Sequence, residues 1–184
     1  MNNLTKFYLL FGTTIMDIAY SATSPTIQIY FMKLINEDIL AISNIVTAAL
    51  AAIVNMSVQS DKLMLFYRKN FVYIIIIDIF CFILISIEGL QIPEIRFLGL
   101  AFLNAVSSTL WFTVISDAIN HQIEGTTLTK WNSLQKAINL TACIIGASIA
   151  IFFKINIEIC ILLQCFANLI FGFCDYFAYR IIKY

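Results

Sequence analysis

A single carboxylate interrupts the first apolar run of the chain: Asp17, within LLFGTTIMDIAYSATSP. Thr13, Tyr20, Ser21, Ser24 and Gln28 recur with it at steps of three or four residues, the spacing of one helical face. A carboxyl with hydroxyls and an amide in that register suits a wet cavity in which Asp17 binds a proton or a cationic group. The alternative is a protonated Asp hydrogen-bonded to a neighbouring helix.

Comparable stripes follow along the chain. They comprise Asn44, Thr47 and Asn55, then Asn104, Ser107, Ser108, Trp111 and Asp117. Further on come Asn132, Gln135 and Asn139, continued by Cys143 and Gly146, and finally Gln164 and Asn168. For any one of these residues an interhelical hydrogen bond, worth about 0.6 kcal/mol, is the favoured reading. Their recurrence on most of the apolar segments is better explained by a shared polar interior. Asp78, in IIIIDIF, stands apart as the lone strongly polar residue of its run. It is expected to face protein rather than lipid and to support an oligomer contact, outside any solute path. Asp175 lies near the end of the last apolar run and is expected to reach an interface.

Other chemistries find little support. The chain has no His-Glu-x-x-His pair, no Gly-x-Ser-x-Gly elbow and no phosphate-cradling glycine loop, so an enzyme is not expected. The lone His121 shares a face with Asp117 and Glu124, which reads as a surface cluster rather than a metal site. Cys81, Cys143, Cys160, Cys165 and Cys174 all fall inside apolar runs without Cys-x-x-Cys spacing, and read as small buried residues. No metal or cofactor is expected. With net charge zero and only short basic clusters, neither is a nucleic-acid partner.

The elements that must position these residues are transmembrane helices. The chain is 61% hydrophobic and 12% charged, against roughly 25% charged for a soluble domain. Its mean hydropathy is +0.90. A span needs about 20 apolar residues. Six are expected, at 7–32, 39–60, 71–89, 95–118, 130–153 and 157–180, forming one all-α six-helix transmembrane domain over 1–184. The first is too long for a signal-peptide core, contains Asp17 and lacks a small-residue cleavage site, so it is expected to stay as a helix. A mid-bilayer carboxylate costs roughly 2.5–3.5 kcal/mol, which makes Asp17 a functional candidate.

An even count puts both termini on one side. Lys6, Lys62, Arg68, Lys69, Lys130, Lys136, Arg180 and Lys183 fall there, against Lys33, Arg96 and Lys154 opposite. The positive-inside bias places both termini in the cytoplasm, in a multi-pass cell (inner) membrane protein. Tyr176, Tyr179 and Tyr184 suit an interfacial belt. Ala48 and Ala52, and Ala142, Gly146 and Ala150, have small-xxx-small spacing that lets backbones approach.

The order of these features resembles the amino-terminal half of a major facilitator superfamily transporter. The loop SDKLMLFYRKN, with Asp61-Lys62 and then Arg68-Lys69, resembles that family's cytoplasmic loop motif, although Ser57 and Met64 replace its glycines and the second basic pair comes late. RFLGLAFLNAVSSTLWFTVISD resembles the family's fourth helix, with Gly99 one position early, and KWNSLQKAINLTACIIGASIAIFF its fifth. The resemblance implies two inverted three-helix repeats, spans 1–3 and 4–6. It implies a central path lined by spans 1 and 4, with Asp17, Asn104 and Trp111 facing substrate and Asn139 nearby. Arg96 matches an Arg sometimes linked to proton coupling; its other reading is an Arg snorkelling to the outer interface. The small-residue faces on spans 2 and 5 would meet a second half, supplied by a parallel homodimer or a separate carboxy-terminal half. The function implied is secondary, proton-coupled transport of a small solute, such as efflux, by a half-size or truncated unit. A six-helix substrate-binding subunit of an importer and a small non-transporting membrane or immunity protein are the alternatives.

Overall fold

The computed structural model describes residues 1–123, 125–152 and 155–182, and these are helical with no strand among them. Helix α1 runs Asn3–Met32, α2 Glu37–Ser57, α3 Asp61–Lys69 and α4 Phe71–Glu88. Helix α5 spans Pro93–Leu103 and passes through a π-helical segment, Asn104–Ser108, into α6, Thr109–Gln122. Helix α7 covers Gly125–Phe152 and α8 Ile157–Ile182. Glu124, Lys154, Lys183 and Tyr184 lie outside the described residues.

Local chemistry sets several of these ends. Asn36, in extended backbone, accepts from the Asp38 N–H at 3.3 Å, and Glu37 and Asp38 place negative charge on the first turn of α2. Gly89 follows the last residue of α4, and Pro93 opens α5, where its missing N–H is no loss. Hydroxyls inside apolar helices bond back to their own helix, as Thr14 does to Leu10 O at 2.6 Å and Thr113 to Thr109 O at 2.7 Å.

Five helices among the described residues are long and apolar enough to cross a membrane: Glu37–Ser57, Phe71–Glu88, Pro93–Gln122, Gly125–Phe152 and Ile157–Ile182. They correspond to the second to sixth expected spans, and they mark a membrane protein. Helix α1 has 30 residues, ample length for a span, yet is not among the five. Its threonines, serines, Asp17 and Gln28 dilute its apolar residues.

The contacts group the chain into two compact units, Met1–Tyr30 with Ser116–Tyr184, and Phe31–Ile115. In the first unit α1 runs antiparallel to α8. Tyr8 stacks on Phe177 at 5.6 Å, Tyr20 meets Asn168, and Thr23 meets Gln164. Helix α1 runs parallel to α7, with Asp17 beside Asn139 and Ser21 beside Gly146. In the second unit α4 and α5–α6 form an antiparallel hairpin, in which Asp78 pairs with Ser108 and Ile85 packs on Gly99. Helix α2 packs along α5 and the π-helical segment, where Thr47 reaches Ala101 O at 3.5 Å.

The segment 61–69 was expected as a loop and is the short helix α3. Asp61, Lys62 and Lys69 are exposed on it and Arg68 is half-buried. Leu63, Leu65 and Phe66 are exposed as well.

Candidate functional site

In the first unit, α1 and α7 border an open, shallow hollow of about 390 Å³ lined by Asp17, Asn132, Gln135, Lys136, Asn139, Leu140 and Cys143. The volume falls within the roughly 300–1,000 Å³ of small-molecule pockets. The α7 residues come from two adjacent rows, 132, 135, 139 and 143 beside 136 and 140, so one helical face supplies them. With its amide nitrogen turned toward acceptors, Asn139 donates to Asp17 Oδ2 at 3.2 Å and to Gln135 O at 3.0 Å. Asp17 is half-buried; Lys136 and Asn132 are exposed.

Beyond the hollow the two helices come close. A Cβ on Gly146 would collide with Ile18 O and lie 2.7 Å from Ser21 Cβ and 3.1 Å from Ala22 N. Ala142, one turn before, is 1% exposed. Gly146 is therefore occupied inside the chain, against α1, rather than held open for a second half. Ala150 is half-buried, whereas Ala48 and Ala52 on α2 are exposed.

The polar face expected on α1 divides among several neighbours. Only Asp17 from it lines the hollow. Thr13 Oγ1 donates to Leu9 O at 2.8 Å, which satisfies it within its own helix. The Tyr20 hydroxyl accepts from Asn168 Nδ2 at 2.8 Å, and Gln164 Nε2 donates to Thr23 Oγ1 at 3.0 Å. Gln164 and Asn168 are buried, so here the polar residues join α1 to α8. Ser21 packs toward Gly146, and Ser24 is half-buried. Helical spacing defines a face, but a helix packed on two sides shares that face between partners.

The second unit holds the other expected residues apart from this hollow. Trp111 is 2% exposed, so it does not line an open path; it stacks near Phe112. Asn104 is exposed at the start of the π-helical segment. Arg96 is 4% exposed, with its guanidinium 5.2 Å from the centre of the Phe31 ring and its stem against Gly89. That burial overturns the reading of Arg96 as a snorkelling residue. Asp175 is likewise buried rather than reaching an interface.

Lys136 was missed as a site residue. Asp78 is 3% exposed and accepts from Ser108 Oγ at 3.2 Å, inside its own unit rather than at an oligomer contact. Lys136 stands four residues from both Asn132 and Leu140, a signal present in the sequence but absorbed into the charge count of the ends. His121 Nδ1 lies 2.8 Å from Asp117 O. No group of three His, Cys, Asp or Glu residues is placed to hold a metal ion among the described residues. Comparison of the chain with protein-family models, characterised proteins and solved structures finds no match.

Proposed function

We propose that this chain is a half-size secondary transporter of a small polar solute, with Asp17 and Asn139 at the centre of its binding site. The observation that carries this is the hollow itself: a carboxylate, three amides and an ammonium converge on one open volume between α1 and α7. Groups of both charges and several amides suit a solute that both donates and accepts hydrogen bonds. Asp17 would exchange a proton with each cycle, which couples solute movement to a proton gradient.

The composition of the two units supports an inverted-repeat architecture of the major facilitator kind. If span 1 corresponds to 4, 2 to 5 and 3 to 6, the set of spans 1, 5 and 6 maps onto the set 4, 2 and 3. Those are the principal members of the two units. In this arrangement α1 also crosses the membrane, which brings the spans to six; its protein partners tolerate its polar residues, and both termini are cytoplasmic in a cell membrane. The second half would come from a second copy or a separate chain.

The test is uptake or efflux in proteoliposomes under an imposed pH gradient. Gradient-driven movement of a polar solute, abolished in Asp17→Asn and weakened in Asn139→Ala, is the expected result. Unchanged transport by Asp17→Asn would remove the hollow from the mechanism. A second reading, a substrate-binding subunit, is favoured by one fact: the hollow is complete within a single unit. Tight solute binding without any transport would select it.

A further inference from the structure

We propose that the solute of the Asp17 hollow is a zwitterion, an α-amino acid with an uncharged side chain, held by Asp17 at its ammonium and by Lys136 at its carboxylate. This rests on the reading of the hollow as a solute site. A contrast within the first unit carries it. Where α1 meets α8, polar side chains are spent on each other, Tyr20 with Asn168 and Thr23 with Gln164. Around the hollow, Asp17 Oδ2 is joined to Asn139 at 3.2 Å, and the other polar groups are unspent. Among the described residues, Lys136 forms no ion pair, and the side-chain amides of Asn132 and Gln135 meet no hydrogen-bond partner. Helix α7 is long and apolar enough to cross a membrane, where an ammonium and amides left against hydrocarbon are costly. Here they share one open volume with a carboxylate.

The charge count selects the guest. The hollow offers one carboxylate and one ammonium, and these two do not pair with each other. Asp17 is half-buried on an open volume, so its carboxylate is not sealed from a charged guest. A guest of single charge leaves one of the two groups without a counter-charge, whereas a guest carrying both charges satisfies both. A charged side chain on that guest finds no third partner. Spacing narrows the class further. Lys136 precedes Asn139, the partner of Asp17, by three residues, about 4.5 Å of helix rise. The charges are therefore offered side by side, as an α-amino acid carries its own, rather than at the ends of a long cleft. Asn132 and Gln135 lie within one turn of Lys136, where their amides can donate to the same carboxylate, and Leu140 and Cys143 leave an apolar end for the side chain. On the transport reading, the ammonium and a proton occupy Asp17 in turn, which makes the movement an exchange.

The test uses the full chain in detergent. Each uncharged-side-chain L-α-amino acid is screened for a raised unfolding midpoint, and the radiolabelled form of the strongest is taken to equilibrium dialysis. Its methyl ester, which lacks the carboxylate, and its N-acetyl form, which lacks the ammonium, should each compete about tenfold or more weakly than the parent. Lys136→Met should weaken the parent and abolish its advantage over the ester, while keeping the advantage over the N-acetyl form. Asp17→Asn should do the reverse, a cross-over that mere loss of structure does not produce. If Asp17→Asn fails to fold, Lys136→Met, at an exposed position, decides the matter. No binding of any of these amino acids, equal competition by ester or N-acetyl form, or wild-type selectivity in Lys136→Met would overturn the proposal. Gradient-driven transport of a singly charged solute, lost in Asp17→Asn, would also overturn it while leaving the transport reading in place. Amino-acid binding with this cross-over but no transport would support the zwitterion site and remove the transport reading.

Discussion

At Gly146 the backbones of α7 and α1 approach so closely that any side chain must displace one of them. Gly146→Val is expected to destabilise the protein by about 1–3 kcal/mol, the usual cost of overpacking, read as a lower unfolding midpoint in detergent. Solute binding should fall with it, because α1 supplies Asp17 and α7 the rest of the lining of the hollow. At Thr23 and Gln164 the effect is smaller. A double-mutant cycle with Thr23→Val and Gln164→Leu should give a coupling of about 0.6 kcal/mol, typical of hydrogen bonds between membrane helices. At Asp17 the expected effect falls on gradient-driven transport rather than on stability. Asp17 and Asn139 were both legible from sequence as polar residues in apolar runs, and the structure joins them at 3.2 Å. Which neighbour each remaining α1 residue meets was not legible, since Tyr20 and Asp17 differ by one turn of helix yet face α8 and α7 respectively.

Among the elements, α3 was hidden by its own basic residues. Ser60 and then DKLMLFYRK contain a helix start and a helical apolar pattern, but the charges fit a connecting loop equally well. Chain connectivity ties α3 to one membrane face, because three residues join it to α2 and one joins it to α4. Under the proposed topology that face is cytoplasmic. Lys62→Cys should therefore react with a membrane-impermeant maleimide in inverted vesicles and stay unlabelled in intact cells, against the wild-type background. Labelling from the outside would invert the topology. The π-helical segment carries the opposite lesson. RFLGLAFLNAVSSTLWFTVISD reads as uninterrupted helix, because one extra residue in a turn leaves no mark on composition or periodicity.

For the whole molecule, the strongest expectation about assembly concerns α2. Ala48 and Ala52 stay exposed, while Ala142 is buried. If a parallel homodimer supplies the second half, Ala52→Cys should form an oxidative cross-link between copies in native membranes, and Ala142→Cys should not. Failure of Ala52→Cys to cross-link would point to a different chain as the partner. Apolar length by itself determined that this chain builds helices able to cross a bilayer, because a bilayer demands about 20 apolar residues per span and little else. It also determined that a few polar residues would lie inside those helices. Tertiary structure alone decided their company: Asp17 with Asn139 over an open hollow, Tyr20 and Thr23 locked to α8, and Asp78 drawn to a π-helical turn. The physical reason is that periodicity specifies the direction a side chain takes from its own helix, whereas its partner depends on the crossing, register and close approach of helices far away in sequence.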